Sequence, residues 1–265
     1  MNALRTLALL GAALLLSTSN ASADAGLERF HKAYAYTRHC CWDAVYNYEW
    51  QQGSAPSYSA NSWSASARAS GSVDYGVISA DLQAWGNRNG YTYVNAIAEA
   101  RDYWVDSFTI TSTTLPAGTP VELQLGVQLR ASLASSGFGQ GFALAVIGTG
   151  LDAGWLTGVD TRNVGGGTHS SLTSYWTSVG AEVSFVGQLN SRAWAESGEG
   201  VGSATTAAWA GFTVDLLTPG ASYLTASGHD YGSQVAAIPE PGSWALLLAC
   251  IAALTWRRRQ GAARA

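Results

Sequence analysis

The side chains of this chain that could do chemistry are mostly rings and carboxylates. Nine tryptophans lie between Asp24 and Pro241. An indole face is flat, apolar and polarisable, so it fills a core or stacks on the face of a sugar. Trp155 and Trp176 flank Gly- and Ser-rich sequence at 148–174 and are the candidates for exposed glycan contact. Trp85, Trp104 and Trp209 fall in alternating segments and read as partly core. A glycoside hydrolase needs two carboxylates flanking one bond. Glu49, Asp74, Asp81, Glu99, Asp102, Asp106, Glu182, Glu196 and Glu199 are available, but no spacing pairs any two of them. Asp152, Asp160 and Asp230 lie in or near Gly-rich sequence and could offer oxygens to calcium, although they match no EF-hand. No other cofactor is implied.

His39-Cys40-Cys41 sets a histidine beside two thiols. Neighbouring cysteines bridge only under strain, because their Cα atoms are closer than the usual separation of about 4.4–6.8 Å. A metal site would want a second cysteine pair, which is absent. A structural or intermolecular disulfide, buried thiols and a metal all stay open as readings. His169 precedes Ser170 and Ser171, but such neighbours are ordinarily exposed polar residues rather than a nucleophile and its base. There is no G-x-S-x-G, H-E-x-x-H or P-loop. The expectation is a protein that is not an enzyme.

The elements that must position these groups are strands. Val121, Leu123, Leu125, Val127, Leu129, Ala131 and Leu133 point one way, and the residues between them point the other. That period of two marks a half-buried antiparallel strand. Val179 to Leu189, Ala208 to Leu216 and Ile78 to Ala84 repeat the pattern, and Asn87-Arg88-Asn89-Gly90 is a hairpin signal. Many strands with short polar turns predict an all-β fold, an antiparallel β-sandwich or jelly roll, over 73–236. The aromatic and Ser/Ala-rich segment 24–72 is more ambiguous. Leu27, Phe30, Ala33 and Tyr34 are spaced for a short helix, Tyr34, Tyr36, Tyr46 and Tyr48 fit strands equally well, and Ser54 to Ser72 reads as either linker or strand. Gly148 to Ser174 reads as long loops.

Both ends read as addresses. Residues 1–23 have a basic start at Arg5, an apolar run from Leu7 to Leu16, and small residues Ala21 and Ala23 before a cleavage point at Asp24, which is a signal peptide for signal peptidase. The tail, 237–265, runs Pro239-Glu240-Pro241, an apolar helix over 243–256, and Arg257-Arg258-Arg259. Arginines stay on the cytoplasmic side, so the chain between the two ends is expected outside the cytoplasmic membrane, held before processing by the tail helix. That span is short for a permanent anchor. The whole chain has a formal charge of −4, but 24–241 holds nine basic and eighteen acidic residues. This acidity argues against nucleic acid as a partner and favours a neutral glycan, or an acidic one bridged by a cation.

The tail resembles the PEP-CTERM sorting signal, with its Pro-Glu-Pro box, short hydrophobic helix and terminal arginine cluster all in order. Such a tail also carries the label of an ice-binding protein C-terminal domain, which describes the tail alone. Gln260 to Ala265 lengthens the usual ending. The resemblance implies that an exosortase-type membrane transpeptidase processes the chain near the box. It implies a location in the cell envelope or extracellular matrix, in company with exopolysaccharide or biofilm. The role expected there is structural or adhesive, with a lectin-like glycan module or a carbohydrate-active enzyme on the same scaffold as the alternative.

Overall fold

A computed structural model describes residues 25–39, 46–87, 91–150, 154–196 and 200–232. The signal segment with Ala21 and Ala23, the Cys40–Cys41 pair, Asp152, Glu199, and the tail with Pro239, Glu240, Pro241 and Arg257 to Arg259 lie outside them. So does most of the predicted hairpin turn. Residues up to Tyr231 cluster as one compact unit, and Gly232–Ala265 as a second, of which only Gly232 is described.

The first unit is nearly all β. Its strands are β1 (Gly26–His39), β2 (Tyr46–Gly53), β3 (Ser57–Ser62), β4 (Ala65–Asp74), β5 (Val77–Asn87), β6 (Tyr91–Ser112) and β7 (Pro120–Ser136), followed by β8 (Gly139–Gly148), β9 (Trp155–Asp160), β10 (Gly167–Ser178), β11 (Glu182–Glu196), β12 (Val201–Leu216) and β13 (Ala221–Thr225). A single turn of helix, α1 (Thr161–Val164), joins β9 to β10. The strands form two antiparallel sheets. One has the order β2-β1-β6-β11-β8-β9, with β13 pairing the far end of the long β6, and the other runs β10-β7-β12-β5-β4-β3.

One buried cluster draws side chains from both sheets, and its two ends differ in residue size. At one end the inward residues are alanines in register. Ala33, Ala98 and Ala193 form one row, and Ala35, Ala96 and Ala195 the next; Ala60, Ala67, Ala84 and Ala204 answer them on the other sheet. Methyl groups fill little depth, so the two backbones approach closely. A Cβ added at Gly86 would stand 2.7 Å from Val94 Cγ1 on the other sheet, and one at Gly141 would run into Thr206 Oγ1. At the other end Trp104, Phe108, Phe185, Phe212 and Tyr231 pack edge-to-face or tilted, with ring centroids 4.8–5.6 Å apart, the arrangement that ring quadrupoles favour.

The close packing decides one reading the sequence left open and changes another. Residues 24–72 contribute β1, β2, β3 and most of β4 to the sheets, and the helix spacing near Leu27 is not used. The Ser/Ala-rich stretch is strand because small side chains are what the close-packed end requires. From Trp155 to Ser174 the chain is likewise not a long loop but β9, α1 and most of β10. Its glycines sit at strand ends and close approaches; a side chain on Gly158 would meet Val146 Cγ1 at 2.5 Å.

The sheet edges are also tied across. Glu49 accepts a hydrogen bond from Asn61 N at 2.9 Å between β2 and β3, and Thr157 and Ser171 hydroxyls meet at 2.5 Å between β9 and β10.

Candidate functional site

Strand alternation turns every second residue of the seven-stranded sheet outward, and at the alanine end these residues are large. The local sequences Ala33-Tyr34-Ala35-Tyr36, Ala96-Ile97-Ala98-Glu99 and Ala193-Trp194-Ala195 put methyls inside and larger aromatic, aliphatic or charged side chains outside. Register then aligns the outer residues into rows. Trp50 of β2 pairs with Tyr34 of β1, Tyr34 with Ile97 of β6, and Ile97 with Trp194 of β11. One step along, Lys32 pairs with Glu99, Glu99 with Arg192, and Arg192 with Phe142 of β8.

The two rows are locked together. Glu99 accepts from Lys32 Nζ at 3.1 Å and faces Arg192 Nε at 3.1 Å. The same cations lie over rings of the neighbouring row, Lys32 at 4.7 Å from the Trp50 ring centre and Arg192 at 4.9 Å from that of Trp194, within cation–π range. Tyr34 meets Trp50 edge-on at 5.3 Å and lies parallel to Tyr36 at 6.3 Å, and Phe142 meets Trp194 at 6.2 Å. Trp50 remains 45% exposed. The result is an aromatic surface, fixed in orientation, bordered by charged groups that can hydrogen-bond.

The residues expected from sequence are placed differently. Trp155 opens β9 at the edge of the seven-stranded sheet, and Trp176 lies in β10 at the edge of the other, 36% and 62% exposed. Both are exposed, but they belong to different sheets. Trp104 is fully buried, whereas Trp85 is 39% exposed on the outside of β5. Asp160 N-caps α1 by accepting from Arg162 N at 2.9 Å, and ion-pairs with Arg162 Nη2 at 2.6 Å; the Arg162 hydrogen bond holds its carboxyl below the usual carboxylate range. Asp230 is exposed and accepts from Tyr223 OH at 3.3 Å. Among the described residues no three His, Cys, Asp or Glu side chains gather as a metal would need. His169 turns to the Gly166 carbonyl at 3.3 Å, and Ser170 points to the opposite face of β10.

Two carboxylates lie inside the core on β6. Asp102 accepts from Phe30 N at 3.2 Å and contacts His31 Nε2 at 3.0 Å, both side chains fully buried. Asp106 accepts from Ser107 N, Ser227 N, the Ser227 hydroxyl and Tyr231 OH. Sealed from solvent, these groups bind β1 and the 226–231 segment to β6. The other described carboxylates are spread over both sheets, with Glu122 accepting from Ser174 and Glu196 from Tyr93.

The sequence reading missed Tyr34, Ile97, Phe142 and the Lys32–Glu99–Arg192 bridge as a site. The signal was there, as alanine alternating with large residues in three segments, but only pairing register shows that the segments are neighbours. Comparison with known proteins finds no relative: no family model, no curated protein and no solved structure matches the chain.

Proposed function

We propose that this is an exported, non-enzymatic surface or matrix protein, sorted by an exosortase-type transpeptidase and structural or adhesive in exopolysaccharide or biofilm. The observation that carries the reading is the order of parts in the tail: Pro239-Glu240-Pro241, an apolar run over 243–256, then Arg257 to Arg259, opposite an N-terminal signal ending at Ala21 and Ala23. The folded part is read as a β-sandwich of jelly-roll kind. Support comes from the way successive strands from β5 onward alternate between the two sheets, with only β8 and β9 consecutive in one. Such a body, with tied edges and a wide outer face, suits a passive component of an envelope or matrix.

A carbohydrate-active enzyme on the same scaffold needs two carboxylates about 5–9.5 Å apart in one cleft. The engagement of Asp102 and Asp106 in buried hydrogen bonds speaks against that alternative, and so does the holding of Glu99 between two cations. The lectin-like alternative is favoured by the Trp50–Tyr34–Ile97–Trp194 row and its charged border.

The test is intact mass and localisation in the native host, with and without Pro239, Glu240 and Pro241 replaced by alanine. A wild-type mass ending near the box, with a full-length variant retained in the membrane, is the expected result. Full-length tails in both would overturn the sorting reading.

A further inference from the structure

We propose that the outer face of the seven-stranded sheet binds a neutral polysaccharide, laid across the strands along the Trp50–Tyr34–Ile97–Trp194 row. A sugar ring has an apolar C–H face and a rim of hydroxyls. The two rows match that division. The first presents indole, phenol and aliphatic surface in register, and the second, one step along the strands, presents ammonium, carboxylate and guanidinium groups that can donate to or accept from hydroxyls. The ring row crosses three strand spacings, about 14 Å, which is room for an oligosaccharide segment rather than one sugar. Each indole has a cation braced against it, so little side-chain entropy remains to be lost on binding.

The charge of the face selects the ligand. The exported stretch is strongly acidic as a whole. The outer positions of this sheet and α1 are balanced, however, with Lys32, Arg38, Arg101, Arg162 and Arg192 set against Glu28, Glu99, Asp160, Glu182 and Glu196. A polyanion finds no net attraction here and is repelled by the rest of the molecule, whereas an uncharged hydroxylated chain meets neither penalty. The opposite sheet does not align its outward rings in one such row: Trp85 lies between Ser66 and Ser203, and Trp209 between Ser79 and Arg130.

Binding is read in vitro, so it stands or falls apart from the sorting reading: failed tail processing would leave it intact, and failed binding would leave sorting intact. The experiment is native affinity electrophoresis of the full-length chain in mild detergent, through gels holding hydroxyethylcellulose, xylan, galactomannan, dextran or, as the acidic comparison, alginate. Retardation by at least one neutral polymer is expected, weakened about ten-fold in the Trp50→Ala/Trp194→Ala pair and unchanged in Trp209→Ala. The Trp50→Phe/Trp194→Phe pair keeps a stacking ring and should recover most of the binding, which separates lost contact from lost fold. Migration unaffected by all four neutral polymers overturns the proposal. So does retardation that survives the alanine pair, or alginate retarding the chain as strongly through the same residues.

Discussion

Tyr231 is the residue on which the end of the folded part depends. It is 2% exposed, tilts against Trp104 and Phe108, and donates to Asp106 Oδ2 at 3.1 Å. Removing its hydroxyl in Tyr231→Phe leaves the ring in place and unpairs one lobe of a buried acceptor, a loss of about 1–3 kcal/mol. Tyr231→Ala adds a cavity and should cost about 3–5 kcal/mol, both read by urea denaturation. Burial, reinforced by Asp106 beside Tyr231 and by Asp230 beside Tyr223, holds both phenols protonated far past the ordinary tyrosine range. Their folded values exceed their unfolded ones, so their contribution is complete below about pH 10 and is lost as the unfolded chain's tyrosines begin to ionise above it. The denaturation midpoint should therefore fall above about pH 10, while tyrosinate absorbance shows two phenols silent until the protein unfolds. Their titration in the folded state would contradict this account.

The governing feature among the elements is the reversal of size across the seven-stranded sheet at its alanine end. Alanine faces alanine between the sheets, while Tyr34, Trp50 and Trp194 face out. A larger residue inward has nowhere to go. Ala98→Leu, at a fully buried position between Ala33 and Ala193, should cost about 1–3 kcal/mol or more by overpacking. The wide end behaves otherwise, except where a ring lies directly on a backbone. Gly187 of β11 pairs with Trp104 of β6, and a Cβ there would strike the indole, so Gly187→Ala should destabilise by a similar amount. Trp50→Ala opens no void in the core and loses only its Tyr34 and Lys32 contacts, so it should lower the unfolding free energy by no more than about 1 kcal/mol. A large loss for Trp50→Ala, or none for Ala98→Leu, would show the tapered packing to be wrong.

For the molecule as a whole, the first strands and the last belong to one core. β1 lies between β2 and the long β6, and β13 continues its edge after β1 ends. Unfolding should consequently be one cooperative transition, with far-ultraviolet circular dichroism and tryptophan fluorescence coincident. Two separated transitions would mean that the 24–72 stretch folds apart. Much of this was legible in the chain. The period-two positions from Val121 to Ala131 are all buried along β7, with Leu133 half-buried, and Ile78 to Ala84 lies in β5. Ala33 to Tyr36 and Ser54 to Ser72 were not legible, because an alanine or serine is a core residue only where sheets come close, and no local pattern reports that distance.

By itself the sequence determined what acts in order along the chain: the strand periodicity that makes the protein β, the acidity of its middle, and the two terminal segments on which the expectation of export rests. Those features depend on neighbours in the chain, so they can be read without a fold. The tertiary structure decided what depends on residues far apart. Tyr34, Ile97 and Trp194 lie tens of residues from one another, and they share a row only because β1, β6 and β11 pair in one register. Glu99 is a bridge because that register sets cations on both sides of it. Asp102 and Asp106 are not available to a cleft because their parity on β6 turns them into the core, where partners from β1 and the 226–231 segment make their burial tolerable.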